Sequence, residues 1–152
     1  MEELDIYSKG TYPADSLSNF YPHPFMMDDV RCGSMEGFLQ SLKYRSARKQ
    51  KKICLLSGKK AKKKGNRKFL WKWTGKIHWK GQTYLRDSDE YRELIERAYD
   101  RLFENVDFQK ALKDSSGKKL IHSLGKKDSS ETILTEEEFI SSLERLRKKL
   151  DD

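Results

Sequence analysis

The sequence predicts a mainly helical fold, a single compact domain with a few short β-strands, with an α+β fold as the alternative. Three segments carry apolar residues at the 3.6-residue spacing of a helix, and each follows a residue that can cap a helix: Ser34, Asp87 and Thr135. The length of 152 residues fits one domain with a buried core. Hydrophobic residues make up 36% of the chain and charged residues 37%, which predicts a heavily charged surface around that core.

The first third of the chain combines short extended segments with an aromatic loop. In order, we expect a short strand with a turn at residues 6–13, an aromatic and proline-rich loop at 17–25, and a hairpin of strands 25–27 and 30–32. Phe20, Tyr21 and Phe25 are candidates either for ordinary core packing or for a pocket that holds a base or ribose.

The helix that begins after Ser34 carries a line of polar residues beside its apolar side. We expect this helix to end near residue 46 or 47. Glu36, Gln40 and Lys43 stand at i, i+4 and i+7, which places them within roughly 40° of one another around the helix axis. Such a row is most often a solvated helix face, so the row alone assigns no function.

Periodicity and turn signals predict the remaining elements. Helices are expected at residues 48–64 with an interruption at Gly58, at 88–104 with Asp87 and Glu90 as a capping pair, at 107–113, and at 135–150 with a capping box of Thr135 and Glu138. Extended segments are expected at 69–73 and 77–79, around a turn at Gly75, and at 119–124. Connectors are expected at 81–85, 115–117 and 125–131.

The positive charge is concentrated in one segment. Residues 37–86 contain 17 Lys and Arg and no Asp or Glu, so this segment carries +17 and the rest of the chain −9. The asymmetry predicts an anionic partner, a nucleic acid or a pyrophosphate compound. The run at 59–68 is either a solvated surface or a contact with backbone phosphates, made by Lys59, Lys60, Lys62, Lys63, Lys64 and Arg67. Three tryptophans near this run can stack on bases or pack in the core: Trp71, Trp73 and Trp79.

Other features narrow the class of protein. The chain has no apolar stretch of about 18 residues and no apolar run at its acidic N-terminus, so we expect neither a membrane span nor a signal peptide. Cys32 and Cys54 are expected to be reduced thiols of a cytoplasmic protein. We expect a monomer without a cofactor. We also expect no metal site, because the three histidines are too scattered for a ligand set: His23, His78 and His122.

Two motifs together resemble the signature of the NADAR (YbiA-like) family. They are Ser18-Asn19-Phe20, followed by Ser34-x-Glu36-x-x-x-Gln40-x-x-Lys43. The resemblance continues more weakly through Leu85-Arg86-Asp87, Phe103-Glu104-Asn105 with Phe108 and Leu112, and Leu120-Ile121-His122. It implies one YbiA-like domain over residues 1–152, with a basic insert at about 48–80. Small basic proteins of this type are common in phage genomes, so we expect a phage-encoded member.

The resemblance implies an N-glycosidase that cleaves a ribose C1–nitrogen bond. The family's substrates include ADP-ribosylated guanine in nucleic acid and phosphorylated riboflavin precursors. By resemblance, Lys43 forms a Schiff base with the sugar C1 and Glu36 shuttles protons. The substrate, ADP-ribose or ADP-ribosylated nucleic acid, is expected to contact Ser18, Asn19, Phe20, Gln40, Arg45 and Arg48.

The sequence departs from the family pattern in ways that leave two alternatives open. Gly37 stands where the family has His, His122 replaces the acid of L-V-E, the tryptophan after R-x-D is missing, and the W-G-x-G loop is absent, with Asp128 as a remnant of that acidic segment. One alternative is a nucleic-acid-binding module without chemistry. The other is a degenerate member that binds ADP-ribose or a toxin without turnover.

Overall fold

The computed structural model describes residues 1–151, which form seven helices and three two-stranded sheets. Helices hold 44% of the chain and strands 13%, so the mainly helical prediction is confirmed. In chain order the elements are β1 (Glu3–Asp5), β2 (Phe25–Met27), β3 (Val30–Cys32), α1 (Met35–Ser41), α2 (Ala47–Cys54), α3 (Gly58–Asn66), α4 (Leu70–Thr74), β4 (Lys76–Trp79), β5 (Gln82–Leu85), α5 (Asp89–Leu102), α6 (Val106–Asp114), β6 (Lys119–Ile121) and α7 (Glu136–Lys149).

Several predicted element ends coincide with side-chain caps. The Ser34 hydroxyl accepts from the Gly37 N–H at the start of α1, as predicted. The capping box of Thr135 and Glu138 at the start of α7 is also confirmed. The β2–β3 hairpin forms as predicted, with positive φ angles at the two Asp residues of its turn.

Two predicted helix boundaries were wrong. Helix α1 ends at Ser41 rather than near residue 46 or 47, because Ser46 caps a new helix by accepting from the Lys49 N–H. Ser88, and not Asp87, caps α5, because its hydroxyl accepts from the Tyr91 N–H. Ser46 and Ser88 each cap a helix, but the sequence offered other residues nearby that could do so. Spacing along the chain did not select between them.

The segment predicted as extended at 69–73 is instead the short helix α4. Its alternating pattern does not correspond to two faces of a strand, because only Trp71 is buried while Leu70 and Trp73 are exposed. Gly75 ends the helix with a φ of 69° and donates its N–H to the Trp71 carbonyl at 2.7 Å. The predicted connector at 81–85 is also wrong, because β5 pairs with β4 as an antiparallel hairpin.

Strand β1 lies earlier than the predicted strand at 6–13 and pairs in parallel with β6. The pairing joins the N-terminus to a segment more than 100 residues later, with Leu4 opposite Leu120. Extended structure in that later segment ends at Ile121, short of the predicted residue 124. The chain beyond Ile121 therefore runs alongside residues 6–8.

Helix α1 lies at the centre of the core, and all seven of its residues are buried. Close contacts join α1 to the end of α2 and to α3. A Cβ atom at Gly37 would lie 2.5 Å from the Leu56 carbonyl oxygen, so glycine lets the end of α2 approach α1. Helix α3 packs on α1 through its small residues Ala61 and Gly65. The lysine run is thus an ordered helix with one face docked on α1.

Arg86 joins β5 to the start of α7. The buried guanidinium donates to both carboxylate oxygens of Glu138, at 3.1 and 2.6 Å, and to the Thr132 carbonyl at 3.0 Å. It also stacks 4.8 Å from the ring centroid of Tyr91. These contacts fix the segment that leads into α7 against α5.

Both cysteines, Cys32 and Cys54, are buried and free. No helix within residues 1–151 is long and apolar enough to cross a membrane.

Candidate active site

A cavity of about 460 Å³ lies beside α1. Its wall is formed by the loop after Leu17, the polar line of α1, one side of α3 and α4, and the segment from His122 to Leu134. Of the residues predicted from sequence for the site, the cavity brings together six: Ser18, Asn19, Phe20, Glu36, Gln40 and Lys43.

The Glu36 carboxylate is buried in this wall. Its Oε1 accepts from Gln40 Nε2 at 2.7 Å, as expected for residues one helical turn apart. Burial raises the pKa of the Glu36 carboxyl; the Gln40 bond and the positive charges of Lys62 and Lys43 oppose that rise only in part. The shift favours the protonated, neutral form of this carboxyl.

Lys43 follows the last turn of α1 and extends its side chain into the same cavity. Its Nζ lies 5.6 Å from the ring centroid of Trp71. The pKa of Lys43 is lowered to about 8, mainly by desolvation and in addition by the cations Lys62, Lys72 and Lys126, while Glu36 opposes the shift. Within residues 1–151 no carboxylate forms an ion pair with Lys43. Lys43 can therefore supply a neutral amine.

The loop with Ser18, Asn19 and Phe20 is fixed by four hydrogen bonds. The Asn19 carbonyl accepts from the Glu36 N–H at 3.0 Å, and its side-chain Oδ1 accepts from the Tyr99 hydroxyl at 2.8 Å. The Phe20 N–H donates to Ser18 Oγ at 3.2 Å, and the Phe20 carbonyl accepts from the Gly58 N–H at 3.1 Å. Because Oδ1 of Asn19 is engaged, its amide NH₂ is the group available to a ligand.

Two buried polar atoms in the cavity wall lack hydrogen-bond partners. They are Gln40 Oε1 and Trp71 Nε1, and no other buried side-chain N or O in residues 1–151 shares this condition. A buried polar atom without a partner costs about 1–3 kcal/mol. Gln40 Oε1 is packed against Gly65 of α3, whereas Trp71 Nε1 is a donor that a ligand oxygen could accept from.

Sequence reasoning missed most of the charge at the mouth of the cavity. Lys62 was predicted as a nucleic-acid contact, but it lines the cavity together with Lys68, Lys72 and Lys126. Glu131 lies among them, with its carboxylate 3.5 Å from Lys72 Nζ. Within residues 1–151, the acidic residues that line the cavity are Glu36 and Glu131. The sequence did offer one sign that Lys68 and Lys72 belong to the site, because both lie close to Trp71 in the basic segment.

His122 lines the cavity, although nothing in the sequence assigned this histidine to the site. Its Nδ1 lies 2.6 Å from the Ile6 carbonyl and so carries the proton, because a carbonyl only accepts. The ring meets Phe139 edge-on at 5.1 Å. Within the described residues 1–151, no three His, Cys, Asp or Glu side chains are grouped to hold a metal ion.

Several predicted site residues lie outside the cavity. Arg45 and Arg48 are exposed and do not line it. Asp128 is exposed in a turn with Ser130. The other basic residues predicted to contact nucleic acid are exposed away from the cavity wall: Lys59, Lys60, Lys63, Lys64 and Arg67.

Comparison with known proteins gives one family, one relative and one similar structure. Residues 11–148 match the sequence profile of the family described as Bacteriophage protein GP30.3. The chain is 40% identical over 154 residues to a 17.1 kDa protein of the Gp30–rIII intergenic region of Enterobacteria phage T4; the alignment covers 99% of this chain and 100% of that protein. The NMR structure of the E. coli protein YbiA matches with a TM-score of 0.60 at 15% identity, over 99% of this chain and 88% of YbiA.

Proposed function

The chain belongs to the bacteriophage protein GP30.3 family and has a YbiA-like fold, and we propose that it is an N-glycosidase. The proposed reaction cleaves the bond between a ribose C1 and a base nitrogen and releases ADP-ribose from a guanine in nucleic acid, or the sugar from a related nucleotide-like N-glycoside. The resemblance of residues 18–43 to the NADAR signature supports this reaction class.

The observation that carries the proposal is the placement of Lys43 and Glu36 in one cavity with opposite pKa shifts. Burial raises the pKa of Glu36 and lowers that of Lys43 to about 8. Both groups are shifted toward their neutral forms, so the site favours a protonated acid beside a neutral amine. An amine nucleophile with an adjacent proton donor requires this combination.

In the first step, the ribosyl aminal opens when the ring oxygen takes a proton from Glu36, and C1 forms an iminium bond to the base nitrogen. The neutral Nζ of Lys43 adds to C1, and a proton passes from Nζ to the base nitrogen. The bond between C1 and the base nitrogen then breaks. The base leaves as a neutral amine, and the sugar stays on Lys43 as a protonated imine.

In the second step, water adds to C1 and a proton passes from the water to Nζ. The bond between C1 and Nζ breaks as the new C1 hydroxyl passes its proton to the Glu36 carboxylate, which restores both the amine and the acid and releases the sugar as its aldehyde. The sugar ring then closes, and the proton of the ring hydroxyl moves to the C1 oxygen. One water is consumed in each turnover.

The cavity wall supports a substrate with both hydroxyl and phosphate groups. The Asn19 amide can hydrogen-bond a ribose hydroxyl, Trp71 Nε1 can donate to an oxygen of the ligand, and Gln40 orients Glu36 beside them. The lysines at the mouth of the cavity suit the two negative charges of a pyrophosphate.

The test is incubation of the protein with ADP-ribosylated guanosine or ADP-ribosylated DNA, followed by mass detection of free ADP-ribose. We expect release by the wild-type chain and none by Lys43→Ala. Lys51→Ala is the matched control, because Lys51 is exposed on α2 and does not line the cavity. Release that persists undiminished in Lys43→Ala would contradict the proposal.

A binding protein without turnover is the second candidate. His122 stands at the cavity wall where the related family has an acid, which favours this alternative. Calorimetry then shows binding of ADP-ribose, while the mass assay shows no release from either substrate.

A further inference from the structure

Helix α4 exposes three large apolar side chains. Phe69, which precedes the helix, is 63% exposed, Leu70 69% and Trp73 85%, whereas Trp71 faces inward. Phe69 and Trp73 are four residues apart, so they lie within about 40° of each other around the helix axis. Their side chains therefore share one side of α4, exposed to solvent.

This surface continues from the mouth of the cavity. Phe69 itself lines the cavity, as do Lys68, just before it, and Lys72 on α4. Two further exposed apolar residues lie on the cavity wall, Tyr7 and Leu124. A ligand that extends out of the cavity therefore meets aromatic and apolar side chains before it reaches open solvent.

Positive charge surrounds these aromatic residues. Lys68 and Lys76 flank α4 in sequence, Lys72 lies within it, and the exposed lysines of α3 precede it. Glu131 is the acidic residue at this edge of the cavity, and Lys72 already pairs with it. The occupant of this surface is therefore an anion with flat apolar faces.

A single-stranded nucleic acid has this chemistry. Its phosphates are drawn to lysines, and its unpaired bases expose π-faces that stack on aromatic side chains. In a duplex those faces are covered by neighbouring base pairs, so a duplex offers mainly phosphates. Chemistry on a base in a deep cavity also requires that the base leave the stack.

We infer that the exposed side of α4, with Trp73 and Phe69 as stacking residues, binds single-stranded nucleic acid and leads one base toward the cavity. The inference rests on the proposed function for the chemistry done on that base, whereas strand binding itself is measurable without turnover. Trp73 is the principal stacking residue, because it is the most exposed of the three tryptophans.

The test uses the intrinsic fluorescence of the full chain. Trp79 is buried and Trp71 lines the cavity, so the part of the quenching that is lost in Trp73→Ala reports stacking on Trp73. Titration with a single-stranded oligodeoxynucleotide should quench the emission, and affinity should exceed that for a duplex of the same length by about tenfold or more. Affinity should also fall as salt is raised, because lysine–phosphate contacts release counterions.

Variants separate stacking from charge, with binding followed by the anisotropy of a labelled oligodeoxynucleotide. Trp73→Ala should lower the single-strand affinity about tenfold or more, while Trp73→Phe, which keeps a ring, should stay within about threefold. Val106→Ala is the control, because Val106 is also highly exposed, at 77%, but lies on α6. Strand binding is measured without turnover, so a failure of the proposed chemistry in the mass assay is distinguishable from a failure of this inference.

Three outcomes would overturn the inference. They are equal affinity for single strand and duplex, unchanged affinity in Trp73→Ala, and Trp73 quenching by anionic phosphatidylglycerol vesicles but not by the oligonucleotide. The first two would leave a purely electrostatic surface, and the third would identify a membrane-facing one.

Discussion

Gly65 on α3 and Gln40 on α1 are packed so closely that a Cβ atom at residue 65 would lie 1.6 Å from Gln40 Oε1. Gln40 in turn donates to Glu36 at 2.7 Å. The lysine-rich helix is therefore in direct contact with the amide that orients the proposed proton donor. A change in how α3 is seated should reach the chemistry through this single side chain.

Gly65→Ala should displace Gln40 and loosen its bond to Glu36. We expect a loss of about 1–3 kcal/mol in the free energy of unfolding, as for other overpacked cores. We also expect a fall of about tenfold or more in ADP-ribose release, because a displacement of about 1 Å near reacting groups can cost that much. Chemical denaturation and the mass assay measure the two effects. Lys63→Ala, exposed on the same helix, should change the unfolding free energy by less than about 0.5 kcal/mol.

Borohydride added during turnover should trap the sugar on Lys43. The reductant converts the imine to a stable secondary amine, and peptide mass mapping locates it. Lys43→Ala and Lys43→Arg should both abolish the adduct, since a guanidinium stays protonated and cannot form the imine. An adduct that maps instead to a lysine of α3 would rule out the proposed nucleophile while leaving the fold unaffected.

The rate of ADP-ribose release should depend on pH with a rising limb near pH 8. The pKa of Lys43 is lowered to about 8, so below that pH the amine is mostly protonated and unreactive. The rate should then rise about tenfold for each pH unit until the amine is deprotonated. Burial also raises the pKa of Glu36, which favours the protonated acid that the first step requires. Single-turnover rates measured across pH 8 test the rising limb; a rate that stays flat through pH 8 would exclude Lys43 as the titrating nucleophile.

Glu36→Gln should slow release by about 10²–10⁴-fold, the usual contribution of a positioned acid–base group. Binding of ADP-ribose should stay nearly unchanged, because a glutamine oxygen at residue 36 can still accept from Gln40. Calorimetry and single-turnover kinetics measure the two effects separately. A comparable loss of affinity would instead assign Glu36 to substrate binding.

Arg86→Ala should destabilise the fold by about 3–5 kcal/mol. The substitution leaves the partly buried Glu138 carboxylate without its bidentate partner and frees the segment that leads into α7. Arg92→Ala is the matched control, because Arg92 pairs with Asp89 on the exposed side of α5 and such pairs contribute about 0–1 kcal/mol. Equal losses in thermal or chemical denaturation of the two variants would contradict a structural role for Arg86.

The sequence predicted the elements whose signals are local. The Ser34 cap, the hairpin at Asp28 and the capping box at Thr135 depend on residues within four positions of one another, and all three are confirmed. Helical periodicity placed Glu36 and Gln40 on one line of α1, Lys43 follows the end of that helix, and the cavity brings all three together.

The tertiary structure decided which other residues reach that line. Arg45 and Arg48 are near Lys43 in sequence but lie outside the cavity, whereas Lys126 and His122, about 80 residues later, line it. Their positions depend on the parallel pairing of β1 with β6 and on the contacts of Arg86, which join segments far apart in the chain. No periodicity records such long-range contacts, because they arise only when the whole core has packed.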